Sequence, residues 1–181
     1  MKRKKLIILF LLIILTAQVP SFTAPTKEYA IKAAILAKLL DNITWPEGSG
    51  LKDKSKTFYI AVIGKNPFEP PLEEIYIKNG IKGNPVKILY LSRLEEISTC
   101  GCHLLFVAGT NKKTLNDIIS VTKGKPILTV SDNKSYADKG IHINFLVVAN
   151  KLKFEINQQS FRESGIVISY HLLRLATKVI K

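Results

Sequence analysis

Four short runs of apolar residues, from Phe58 to Gly64, Val86 to Leu91, His103 to Ala108 and Ile127 to Val130, recur along the middle of this chain. Each is too short for a stable helix, and each is rich in the β-branched and aromatic side chains that suit a pleated sheet. Between them lie helical patterns, with inward positions at Leu72 and Ile75, at Leu94 to Ile97, and over Thr114 to Val121. Strands alternating with helices predict an α/β fold in which a largely parallel sheet is covered on both faces, a three-layer sandwich. Further on, His142 to Val148 and Lys151 to Ile156 flank Ala149-Asn150-Lys151. That pattern is a hairpin, so the sheet is expected to be mixed, with an antiparallel late edge.

The fourth run sets the candidate site. Pro126 marks its start, Ile127, Leu128 and Val130 are apolar, and Ser131-Asp132-Asn133 supply turn side chains at its end. In open α/β sheets ligands meet the carboxyl ends of strands, which makes Gly64, Thr129, Ser131 and Asp132 candidate ligand-binding residues. Asp132 has a simpler alternative as the cap of a following helix, since Asp is among the preferred N-caps. Gly64 belongs to neither of the glycine-rich nucleotide motifs and is accounted for by a tight strand-to-helix turn, with Asn66-Pro67-Phe68 opening the helix.

At the front of the domain, Pro25 or Thr26 opens a helix with Ala30, Ala33, Ala34, Ala37 and Leu40 near one stripe. It ends before Trp45-Pro46, where proline holds Trp45 extended and the ring covers the end of the core. At the back, Asn157 caps a helix over Gln158 to Glu163, and Ser169 opens a last helix with Leu172, Leu173, Leu175, Ala176 and Val179 on or near its buried face.

Met1-Lys2-Arg3-Lys4-Lys5 followed by Leu6 to Leu15, with small residues through Ala24, has the form of an export signal. The expected organisation is a cleaved signal over residues 1–24 and a single domain over residues 25–181, periplasmic and without stable membrane insertion after cleavage. The formal net charge is +13. Lys2, Arg3, Lys4 and Lys5 account for four of these, leaving +9 on the mature chain. Its lysines are dispersed rather than interleaved with aromatics, and export removes most nucleic-acid partners, so nucleic-acid binding is not expected.

The sequence holds two cysteines, Cys100 and Cys102. In an exported protein they either close a small disulfide across Gly101 or stay free for exchange with another chain, and no cluster of further ligands suggests a metal. His103, His142 and His171 are each isolated, and no nucleophile, base and orienting acid follow from spacing. Glu155 and Asp132 as a carboxylate pair across the sheet is the remaining catalytic arrangement. These residues argue for a binding or regulatory protein rather than an enzyme, with no cofactor.

An ordered series of pieces resembles one family. Lys32-Ala33-Ala34 with Trp45-Pro46, Ile63-Gly64 with Pro67-Phe68, Cys102-His103-Leu104-Leu105-Phe106, Leu128-Thr129-Val130-Ser131-Asp132, Ile143-Asn144-Phe145, Phe154-Glu155-Ile156-Asn157 and Leu172-Leu173-Arg174-Leu175-Ala176 together resemble the YfiR-like exported proteins. The resemblance implies a dimerising α/β sandwich that acts in the periplasm. It further implies repression of a membrane diguanylate cyclase through that enzyme's periplasmic sensor domain, which lowers cyclic di-GMP and biofilm formation. Family members that bridge their first and third strands have Cys where this chain has Ala61. Cys102 matches the strand-entry cysteine, and Cys100 would take the missing partner's place. On this reading the partner surface is the late edge, with Phe145, Phe154, Glu155 and Ile156 as contacts. The alternative is an accessory protein of an outer-membrane receptor or sensor kinase that binds a small molecule or a cell-wall fragment at the strand ends.

Overall fold

The computed structural model describes residues 25–68 and 71–181, so the export signal expected over residues 1–24 lies outside the described residues. Helix α1 spans Pro25–Leu40. Strand β1 (Ile43–Thr44), a short 3-10 turn and β2 (Phe58–Ile63) follow, then α2 (Pro71–Asn79), β3 (Val86–Leu91), α3 (Glu96–Thr99) and β4 (Leu104–Val107). Next come α4 (Lys112–Thr122), β5 (Leu128–Ser131), a 3-10 turn at Ala137–Lys139, β6 (Ile143–Val148) and β7 (Lys151–Asn157). Helix α5 (Gln158–Ser164), β8 (Val167–Ile168), α6 (Tyr170–Leu175) and β9 (Lys178–Ile180) complete the described residues.

Seven strands form one sheet in the order β3-β2-β4-β5-β6-β7-β9. Strands β3 through β6 pair in parallel, β6 meets β7 antiparallel, and β9 lies parallel to β7. The α/β class, the largely parallel sheet and the antiparallel late edge therefore agree with expectation. That edge has one more strand than the hairpin supplies. Ala149 and Asn150, both at positive φ, make the hairpin turn.

Strand alternation divides the core. Ile60, Val62, Leu104, Phe106, Leu128, Val130, Ile143 and Phe145 face α1, α2, α5 and α6. Ala61, Ile63, Leu105 and Val107 face α3 and α4 through Ile97, Leu115 and Ile118. Each such large apolar side chain contributes about 1.5–3 kcal/mol on burial. The Tyr76 hydroxyl donates to the Ala33 carbonyl at 2.7 Å and ties α2 to α1. Trp45 closes the end of the first face, with its ring edge-on to Phe58 at 5.1 Å and its Nε1 donating to the His103 carbonyl at 3.2 Å.

Three local expectations are corrected, and one strand pairing is added to them. Helix α2 starts at Pro71 rather than at Pro67, because the Asn66 side chain accepts from the Phe68 N–H at 3.0 Å and makes a turn there. On α1 the buried positions are Lys32, Ala33, Leu36, Leu39 and Leu40, whereas Ala34 is exposed. The last helix stops at Leu175, and Lys178–Ile180 becomes β9, where Val179 pairs with Ile156. Strands β1 and β8 form an unforeseen antiparallel ribbon, Ile43 opposite Ile168 and Thr44 opposite Val167.

Candidate functional site

The carboxyl end of β5 carries the most concentrated polar chemistry on the α1 face. Successive residues of a strand point to opposite faces, so Ser131 points toward the α4 side and Asp132 toward α1. Asp132 does not cap a helix. Its Oδ2 accepts from the Tyr29 hydroxyl at 2.7 Å and from the Lys32 ammonium at 2.6 Å. Lys32, only 4% exposed, also pairs with Glu28 at 2.6 Å and sits 4.1 Å from the centre of the Tyr29 ring. Burial opposes the Lys32 charge, but hydrogen bonds to Asp132 and Glu28 outweigh it and hold the ammonium above the usual lysine range. Burial first, then the bond to Asp132, pushes the Tyr29 hydroxyl up to about 12.

The other strand-end candidates are held by the protein itself. Ser131 donates to the Val107 carbonyl at 2.7 Å and accepts from Asn133 Nδ2 at 3.1 Å. Gly64, at φ +95°, lies against Ala108, where an added Cβ would meet the Ala108 Cβ at 3.2 Å. Thr129 belongs to a buried chain: its Oγ1 lies 2.7 Å from His142 Nδ1, and His142 Nε2 lies 3.0 Å from Ser164 Oγ, which donates to the Phe161 carbonyl at 3.1 Å. The direction of the Ser164 bond assigns the neutral Nε2–H tautomer, with Thr129 donating to Nδ1. Burial pushes the His142 pKa down to about 4.

The partner residues expected on the late edge separate into two groups. Phe145 (1% exposed) and Ile156 (0%) are core residues and present nothing to a partner. Phe154 and Glu155 are half-buried. The hairpin is not the sheet margin at Glu155 either, because β9 pairs with the last three residues of β7 and sets Glu155 opposite Lys178. Ser131, Asn144 and Glu155 are cross-strand neighbours. Glu155 thus shares the face of Ser131, opposite that of Asp132, and the two carboxylates do not pair.

Cys100 and Cys102 are both free thiols. Cys102 is buried, and burial, followed by the neighbouring Cys100, raises its pKa well above the ordinary thiol value. Among the described residues no group of three or more His, Cys, Asp or Glu is placed to hold a metal, and no helix is long and apolar enough to cross a membrane.

Two features escaped sequence reasoning. Lys32 lies four residues before Leu36 on the buried stripe of α1, and a charge in an apolar stripe signals a buried partner. Asn144 is 1% exposed, and its Oδ1 has no hydrogen-bond partner among the described residues. Nothing in the spacing around Asn144 marks it.

The family model described as YfiR/HmsC-like matches residues 29–177, from Tyr29 of the polar cluster to the residue before β9. The chain belongs to that family. Comparison with curated proteins found no match. Among solved structures, an ABC domain in complex with L-Trp from Streptococcus pneumonia is similar with a TM-score of 0.54 and 14% identity, over 80% of this chain and 59% of that one. A conserved domain protein from Vibrio cholerae is similar with a TM-score of 0.53 and 11% identity, over 83% of this chain and 60% of that one. The chain thus spans about three fifths of the length of either, and at these identities the likeness concerns the fold.

Proposed function

We propose that this protein is a periplasmic regulator that represses a membrane-bound diguanylate cyclase by contacting its periplasmic sensor domain, and so lowers cyclic di-GMP. The observation that carries this reading is membership of the YfiR/HmsC-like family across residues 29–177. The described polar clusters are consistent with it. Thr129, Ser131 and Asp132 spend their hydrogen bonds on neighbouring elements, as expected of a protein acting by contact rather than by turnover. The contact surface proposed here keeps the half-buried Phe154 and Glu155 and leaves Phe145 and Ile156 to the core. The regulator acts as a homodimer after removal of its export signal. Expression of the protein in cells carrying its cognate cyclase should lower cyclic di-GMP, and deletion should raise it. Unchanged cyclic di-GMP in both strains would overturn the reading.

A further inference from the structure

A cleft of about 210 Å³ opens at the amino end of β2, remote in the fold from the Asp132 cluster. Its floor is apolar, formed by Ile43, Trp45, Leu51 and Phe58. Its rim carries Lys52, Lys54 and Lys82. Lys52 is already neutralised by Glu47. Among the described residues the other two meet no carboxylate: Lys82 Nζ donates to the Ile43 carbonyl at 2.7 Å, and Lys54 Nζ donates to the Leu51 carbonyl at 3.2 Å and to Asn84 Oδ1 at 3.3 Å. These acceptors are neutral, so they position two ammonium groups without cancelling their charge.

The rim is built rather than incidental. Asn84 is 2% exposed, and its Nδ2 donates to the carbonyls of Asp53 (2.9 Å) and Lys56 (3.1 Å), clamping the loop that bears Lys54 to the turn that bears Lys82. Lys82 itself holds a left-handed backbone, φ 52°, a conformation uncommon outside glycine. The nearby Asp53 carboxylate is occupied by the backbone and hydroxyl of Ser55, at 2.9 and 2.7 Å. An aromatic floor beneath two fixed, uncompensated cations has the complementarity of a ligand with an apolar body and one anionic end.

We propose that this cleft binds a small amphipathic monoanion, its apolar body against Trp45 and Phe58 and its carboxylate or phosphate at the rim shared by Lys54 and Lys82. The same chemistry is available from a free organic acid or from the headgroup and first methylenes of an anionic lipid. This site is independent of the proposed cyclase contact.

Trp45 is the only tryptophan, so its emission reads this cleft directly. Titration with octanoate should change that emission saturably, while octylammonium, the matched cation, should not. Raising the salt concentration should weaken octanoate binding. The double variant Lys54→Gln/Lys82→Gln should bind about tenfold more weakly, and Lys54→Arg/Lys82→Arg should retain binding. A response to phosphatidylglycerol vesicles without one to free octanoate supports the site with lipid as the source. No response to either, or equal responses to octanoate and octylammonium on the unaltered protein, would overturn the proposal without reference to any variant's folding.

Discussion

His142 shows how one side chain links the core to pH. It is 4% exposed and neutral, fixed between a donor at Thr129 and an acceptor at Ser164. A proton added at Nδ1 would face the Thr129 hydroxyl that now donates there. Between its ordinary value of 6.5 and the folded value of about 4, the unfolded chain binds the proton and the folded chain does not. Stability from this residue is therefore complete above about pH 6.5, falls as the pH drops toward 4, and amounts to about 3 kcal/mol in all. His103, which burial also holds below its ordinary value, adds a slope of the same sign. Urea unfolding of the wild type across this range should show the combined loss. His142→Gln should be less stable at neutral pH yet should lack most of the slope, and an unchanged slope would assign it elsewhere.

Among the elements, α1 is docked by two unlike devices. Ala33, Leu36, Leu39 and Leu40 pack against the sheet, while Lys32 and Asp132 form an ion pair nearly closed to water, with side chains 5% and 9% exposed. Removing one partner of such a pair strands the other charge, so Lys32→Met should cost roughly 3 kcal/mol. The double change Lys32→Met/Asp132→Leu should recover most of that in denaturant unfolding. Additive losses would show that the two residues act separately. The link between α3 and β4 is where export would act on chemistry. Gly101, at φ +61°, turns the chain between Cys100 and Cys102. Thiol counting on air-oxidised protein is expected to find none free and no covalent dimer, with folding unaffected because so small a loop restricts the unfolded chain little. Two free thiols would show that the pair stays reduced.

At the scale of the whole molecule, the central strands were legible in the sequence because a run such as Leu104–Val107, buried at every position, has no amphipathic alternative. The late edge was less so. Leu172 to Val179 fits a helical stripe, but tertiary pairing ends α6 at Leu175 and draws Lys178–Ile180 alongside β7, which no local pattern announces. The polar cluster was half legible: Asp132 stood at a strand end, whereas Tyr29 and Lys32, about a hundred residues earlier, join it only through the fold. The added strand also redirects the search for a partner surface, because β9 occupies the β7 backbone from Glu155 to Asn157 and leaves Glu155 its side chain for contact. Glu155 lies beside Lys178, whose ammonium binds Asp138 at 2.6 Å, so a cation can keep its Asp138 partner when Glu155 changes. We therefore expect Glu155→Lys to fold with a stability change of no more than about 1 kcal/mol, the scale of a half-exposed ion pair. Repression should nevertheless weaken, because a carboxylate in the contact surface calls for a basic group on the partner, and the reversed charge would repel it. Cyclic di-GMP in cells carrying the cognate cyclase would rise toward the level of the deletion strain. A stable Glu155→Lys protein that represses normally would exclude Glu155 from the contact and move the search to the exposed Val167 and Tyr170 beside the β1–β8 ribbon.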